Sequence, residues 1–372
     1  RKTVDDGGTS LIPSGSEYTL RVECVYPVDH PAQGPIPGFD PLDVIVRSGI
    51  QGRPGLAVTV GAGGLPAGNA GLPVGAQCTV SEPDPQGAGT VEITPGQPVT
   101  VTDDLDDPVE VVVTNTYPVG SGEVVKVADG PLAPEYAPAG SQFLVAVTCS
   151  YPADFPVSGQ IPGFNPAILP IEAGDPGQPG TPTPFGAVPV GSECTVVEVD
   201  DGGATEVEVA PPQPITIDSA EVPVTVTVTN TFEPAGVRIL KVVEGPGGDP
   251  VPPDLVYIAR LTCVFDGPIG VETVYDVAVE FGVGDTTVIP GPGAVTGLPV
   301  GAVCELTEIE THGASATIDP AGPFVLEGPD PVSVEVTVTN SFAPGELTVE
   351  KIVDGVGAAL VPDGTTYSVS VW

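Results

Sequence analysis

The chain has four lysines in 372 residues, and all of them stand at one recurring position: Lys2 in RKTVDDG, Lys126 in VVKVADG, Lys241 in ILKVVEG and Lys351 in VEKIVDG. Asn115, Asn230 and Asn340 recur with the same regularity, in VVVTNTYP, VTVTNTFEP and VTVTNSFAP. Glu82, Glu198 and Glu308 lie between them, ending the segments LPVGAQCTVSE, VPVGSECTVVE and LPVGAVCELTE. These residue types can react with one another. Burial disfavours charge and pushes an amine and a carboxyl group toward their neutral forms. A neutral ε-amine is a nucleophile, the carboxamide carbon of Asn is an electrophile, and a protonated Glu can polarise the carbonyl and shuttle protons as ammonia leaves. The expected product is a Lys to Asn isopeptide bond, made once, with the fold supplying proximity.

For that chemistry the three side chains must share one interior, and strand parity predicts that they do. Successive strand residues face opposite sides. Ile239, Lys241 and Val243 therefore share a face, as do Val226, Val228 and Asn230, and Cys194, Val196 and Glu198. The sets are then Lys2, Glu82 and Asn115; Lys126, Glu198 and Asn230; and Lys241, Glu308 and Asn340, with Lys351 lacking an Asn after it. Glu305 or Glu310 competes with Glu308 if the register differs. The plainer alternative is that the lysines snorkel at a strand edge and the asparagines start a linker turn.

The elements that must hold these residues are strands. With 49 Gly and 47 Pro the chain has no room for long helices, while YTLRVECVY, FLVAVTC and EVTVTN alternate with period two. The expected fold class is all-β, tandem β-sandwich domains arranged as a rod. Self-similarity divides the chain into repeats at 1–117, 118–232 and 233–342, followed by 343–372 as the start of a fourth. YSVSVW from Tyr367 aligns with YTLRVEC from Tyr18, so the sequence reads as a window on a longer protein. Asn115 to Lys126, Asn230 to Lys241 and Asn340 to Lys351 are each 11 apart, across a junction holding an aromatic, a Pro and a Gly. Such short joints predict a stiff, regular string. Repeats 1 and 2 also share an insertion, QGPIPGFDP or SGQIPGFNP, that repeat 3 lacks. It reads as a structural loop or as a ligand contact, since binding is commonly grafted onto loops.

Six cysteines fall two per repeat: Cys24 and Cys78, Cys149 and Cys194, Cys263 and Cys304. Six allow about 15 pairings, and the repetition selects the one within each repeat. Buried inter-strand disulfides are expected, which implies an oxidising compartment; paired free thiols are the alternative. Closing a loop of roughly 50 residues stabilises by about 4 kcal/mol on the chain-entropy account. No CxxC or His cluster accompanies them, which argues against a metal.

Lys in the first strand, an LPxG-containing segment leading to Glu, and Asn in the last strand resemble the collagen-adhesin B-type (Cna-B-like) domains of Gram-positive surface proteins and pilins. The Cys-containing segments LPVG…C with VTVTNTF look like actinobacterial cell-surface modules. The resemblance implies immunoglobulin-like sandwiches that form the isopeptide bond autocatalytically, with Glu82, Glu198 and Glu308 as the assisting acids. Two departures stand out: Cys replaces the usual aromatic, and Val188 replaces a common Leu.

Other chemistry is missing from the sequence. His30 and His312 are the only histidines and do not recur, and no GxSxG elbow, GxxxxGK[ST] loop or strand-linked GxGxxG occurs; GAGGLP is a glycine-rich turn. DDLDDP at 103–108 has calcium-attracting residues without EF-hand spacing, and reads as a solvated acidic loop. The net charge of −39 repels nucleic acid and anionic lipid, and no apolar run of about 18 residues is present to insert in a membrane. The function expected is an extracellular, cell-surface stalk or filament protein, not an enzyme beyond self-crosslinking, without cofactors, whose partners are other copies or neighbouring repeats in a fibre. The alternative is an adhesin whose IPGF loops bind a host or matrix ligand.

Overall fold

The period-two runs become strands in the computed structural model, which describes residues 1–61, 64–65, 71–104, 107–245, 255–289, 297–329 and 332–370. Leu105 and Asp106 of the acidic run, part of the GAGGLP turn and Trp372 lie outside them. Alternation sorts each strand into two faces. In Gln142–Ser150, Phe143, Val145, Val147 and Cys149 are buried while Leu144 is exposed. Two such strand layers must cover one another, and they do so three times along the chain.

In the second unit one sheet runs Thr183–Pro189, Val119–Asp129, Val224–Thr231, Glu206–Ala210, and the other runs Ala167–Glu172, Gln142–Ser150, Glu193–Asp200, Ile215–Thr216. The third unit repeats the plan with Thr286–Ile289, Val237–Glu244, Val334–Ser341, Ser315–Asp319 against Gly270–Phe281, Tyr257–Gly267, Val303–Glu310, Phe324–Val325. The first unit has the same second layer, Leu42–Arg47, Glu17–Val25, Gln77–Ser81, Val99–Thr100, and among the described residues three strands in the first: Lys2–Asp5, Val112–Thr116, Thr90–Thr94.

The opening strand of each unit lies parallel to its closing strand. Lys2 is opposite Val113, Lys126 opposite Val228 and Lys241 opposite Val338. Each Asn is two residues further along the closing strand, on the same face, which is the diagonal neighbour position about 7–8 Å away at Cα. A lysine side chain spans that gap.

Residues 343–370 form no strand; their only regular element is a 3-10 turn at Ala358–Leu360. The strand expected around Lys351 is therefore not formed. In each unit the opener is held by a parallel closing strand, and residues 343–370 contain no closing strand. Lys351 Nζ donates instead to Ile352 O at 2.8 Å, in solvent.

The IPGF insertions fold back onto their own cysteine strand. Cys24 N donates to Phe39 O and Ile36 N to Cys24 O; Cys149 N donates to Phe164 O and Ile161 N to Cys149 O. Ile36, Phe39 and Ile161 are buried. In the third unit the hairpin of Tyr257–Gly267 with Gly270–Phe281 stands at this place in the chain. Phe155, just ahead of the second insertion, reaches the preceding unit by packing edge-on to Tyr117 at 5.2 Å, and it stacks on Tyr151 of its own unit at 5.1 Å. Tyr136, from the turn of helix Ala133–Tyr136, meets Phe265 of the third unit at 5.3 Å in the same edge-on way.

Candidate functional site

The three opener lysines are sealed from water: Lys2 and Lys126 are 0% and Lys241 1% exposed. Inward parity puts them there, and opposite each stands the predicted glutamate on the facing sheet. Lys2 Nζ is 2.9 Å from Glu82 Oε2, Lys126 Nζ 3.0 Å from Glu198 Oε1 and Lys241 Nζ 2.6 Å from Glu308 Oε1, with every one of these side chains at most 3% exposed. The second contact is close in distance but out of line for a hydrogen bond, leaving Lys126 Nζ and both Glu198 oxygens without a hydrogen-bond partner. In the third unit Glu308 makes the contact, while its rivals Glu305 and Glu310 are exposed on the other side of the register.

Each ammonium also faces an aromatic ring: Tyr18 at 4.5 Å, Phe143 at 4.4 Å and Tyr257 at 4.3 Å from the ring centroid. Parity and repetition could have found these rings, since each stands six residues before the first Cys of its repeat. The rings are themselves buried, so each amine meets an aromatic face there and not water.

Burial sets the ionisation. It lowers Lys2 and Lys126 from the usual 10.5 to about 8, against the opposing pull of Glu82 and Glu198, and it lowers Lys241 as well. Burial raises Glu82 and Glu198, against the effect of their lysines and of the Asn115 and Asn230 carboxamides. Amine and acid thus both move toward their uncharged forms.

Asn115, Asn230 and Asn340 are all 0% exposed. Each donates its amide Nδ2 to a backbone carbonyl: Asn115 to Pro85 at 3.2 Å, Asn230 to Asp201 at 2.8 Å and Asn340 to Thr311 at 3.4 Å. Each acceptor lies three residues past the glutamate. A carbonyl accepts only from N–H, so these bonds fix which end of the amide points where. The other end, Oδ1, is buried and lacks a hydrogen-bond partner in all three, as do Glu82 Oε1 and Glu308 Oε2. A buried acceptor left without a donor is costly. A protonated glutamate donating to Asn Oδ1 removes that cost and polarises the carboxamide.

The disulfides Cys24–Cys78, Cys149–Cys194 and Cys263–Cys304 join directly opposed residues of neighbouring strands, with Cα atoms 4.1, 4.1 and 4.0 Å apart. Each ties the strand that starts with the aromatic ring facing the lysine to the strand that leads to the glutamate, so it fixes two walls of the site. No helix among the described residues is long and apolar enough to cross a membrane.

Among solved structures, the major pilin protein T-13 of Streptococcus pyogenes is similar at 14% identity, over 61% of this chain and 99% of the pilin, with a TM-score of 0.32. Another major pilin of Streptococcus pyogenes is 12% identical over 60% of this chain and 97% of its own, with a TM-score of 0.29. The pilus adhesin SpaC of Lactobacillus rhamnosus GG is 11% identical over 88% of this chain and 42% of its own, with a TM-score of 0.30. No curated protein matches the chain. One unit with one buried lysine, one acid, one carboxamide and one disulfide is thus repeated three times, and a single family model, a domain of unknown function (DUF5979), matches residues 1–118, 123–233 and 237–343, so the chain belongs to that family.

Proposed function

We propose that each unit closes a Lys–Asn isopeptide bond on itself, and that the chain is a stalk or filament module of a Gram-positive cell surface whose repeats are stiffened by these bonds and by the disulfides. The observation that supports this best is the sealed Lys–Glu pair, made three times beside an Asn whose carbonyl oxygen lacks a partner. A buried ion pair is weak support for stability by itself, because desolvation offsets its attraction. Its threefold repetition calls for a role in chemistry.

The atoms balance without any added reagent. The neutral Lys Nζ attacks Asn Cγ; the glutamate proton passes to Oδ1 and then to the departing nitrogen, while the glutamate takes a proton from Nζ. The Nζ–Cγ bond forms, the Cγ–Nδ2 bond breaks, and ammonia leaves. The acid ends as it began.

The mechanical role follows from the parallel pairing. Opener and closer are the strands through which the chain enters and leaves a unit, so a covalent link between them carries tension past the sandwich between. The domains so defined are 1–117, 118–232 and 233–342, with 343–372 beginning another. The IPGF loops give the adhesin alternative little support, because their apolar residues face their own strand.

The test is intact mass under non-reducing conditions. The expected result is the sequence mass less one ammonia per complete unit and less two hydrogens per cysteine pair. A mass lacking only the hydrogens removes the crosslink and with it the tension-bearing role.

A further inference from the structure

Crosslinking as proposed above frees one ammonia per unit inside a site closed to water, and that ammonia must leave. Exchanging one amide for another is close to thermoneutral, so dilution of ammonia into solvent is what draws the bond to completion. Held beside the new bond, ammonia has the same large effective concentration that the fold gives the lysine, and it reverses the step. Only one strand separates each Asn from solvent. Asn115, Asn230 and Asn340 stand directly opposite Val91, Val207 and Ala316, each on the outermost strand of its sheet. Directly opposed residues share a face, so these three side chains point inward with the Asn. Yet Val91 is 38% and Val207 40% exposed, and Ala316 is exposed too, while every Asn is fully buried. The sandwich is open along this edge.

The facing layer shows why. Its outermost strand, Val99–Thr100, Ile215–Thr216 or Phe324–Val325, pairs with the Glu-bearing strand only as far as Cys78, Cys194 or Cys304, and so stops short of the glutamate. In the second unit the edge holds a cavity of 310 Å³, lined by Val207 and Val209 from the Asn230 sheet and by Val196, Glu198 and Asp201 from the facing strand and its end. The leaving nitrogen is aimed at this lining, since Asn230 Nδ2 donates to Asp201 O at 2.8 Å. Gln213, also in the lining, accepts from Val196 N at 3.0 Å and donates to Pro211 O at 2.9 Å. It thereby satisfies an edge amide without a covering strand, and Gln97 does the same in the first unit with Val80 N and Pro95 O.

We propose that this open edge is the exit for ammonia, and that the side chain opposite the Asn is its lip: Val207 in the second unit, Val91 and Ala316 in the first and third. The lip is thick enough to keep water from the buried amine and thin enough to let one small neutral molecule pass. When the Cγ–Nδ2 bond breaks, the nitrogen already points along the Asp201 carbonyl toward the mouth; it leaves as neutral ammonia and takes up the further proton of ammonium only in solvent. These residues do not touch the reacting carbon, and act by letting the product out. Release of product sets the rate of many enclosed reactions, so the size of the lip sets how fast each unit closes. Rest and reaction meet here, because the inference depends on the crosslink proposed above.

The test is the rate of crosslinking, unit by unit. The 372-residue chain is made by cell-free synthesis under oxidising conditions and quenched in acid at intervals, and the linked Lys–Asn peptides of each unit are counted by mass spectrometry after digestion. Val207→Phe should slow the second unit about tenfold and leave the other two at the parent rate, as expected where release limits the step. Adding Val209→Ala should restore the rate by reopening the mouth beside the ring. Exchanging the natural lips asks the same question without a bulky ring: Val207→Ala should speed the second unit and Ala316→Val should slow the third, each severalfold. Both side chains already serve as the lip of another unit, so the fold accommodates them. The exit is overturned if both exchanges close at the parent rate, or if one substitution slows all three units alike. A parent that never loses ammonia fails at the crosslink itself and takes the exit with it.

Discussion

Lys241 Nζ lies 2.6 Å from Glu308 Oε1, with both side chains closed off from solvent in the interior of the third unit. The same pair recurs in the first two units, so its geometry is a property of the repeat and not of one packing accident.

Removing one acid should spare the fold and stop one reaction. Glu198→Ala is expected to raise the intact mass by one ammonia, less the mass of the deleted side-chain atoms, while the other two units stay crosslinked. Peptide mapping after digestion should then recover Lys126 and Asn230 on separate peptides. Recovery of the linked pair from the variant would show that Glu198 is not the assisting acid.

The pH dependence of an uncrosslinked unit carries a definite sign. In Asn230→Ala the amine of Lys126 persists, with a folded pKa of about 8 against 10.5 when unfolded. Between those values the unfolded chain binds more protons than the folded one, so stability rises with pH across that window. Glu198 acts oppositely: its raised folded value means that stability falls as pH climbs through the range just above 4.5. Thermal melts of the variant should show the rise between 8 and 10.5. On the proposed crosslink Lys126 of the parent is an amide, and the parent should then lack the rise.

Much of this site was legible from residue types because the repeat is its own control. Four lysines at one recurring position, and parity that turns Lys241, Glu308 and Asn340 inward, pick these residues out of the sequence. The rings under the lysines were equally regular but looked like ordinary core positions, since an inward Tyr or Phe on a strand needs no further reason. The carbonyls of Pro85, Asp201 and Thr311 had no signature at all, because a backbone acceptor leaves no trace in residue type.

Loss of a disulfide should be felt globally. The Cys149–Cys194 bridge closes 45 residues, and Cys149→Ala with Cys194→Ala is expected to cost about 4 kcal/mol in denaturant unfolding on the chain-entropy account. Because the bridge also braces the Phe143 and Glu198 strands, crosslinking of that unit should slow, seen as a mixture of linked and unlinked masses soon after synthesis.

The insertion loops should behave as core, not as a binding surface. Phe39 is fully buried, so Phe39→Ala is expected to destabilise the first unit by about 3–5 kcal/mol, read by thermal or denaturant melting. A neutral effect on melting would return the loop to the list of contact surfaces.

The Cys149–Cys194 bridge encloses the whole second insertion together with Phe155 at the seam with the first unit. A nick anywhere in that loop severs the backbone yet leaves the two fragments fastened through sulfur, with the strands on either side still in register. Damage within that loop is thereby survivable, and a string of such units can be injured at many points before it parts.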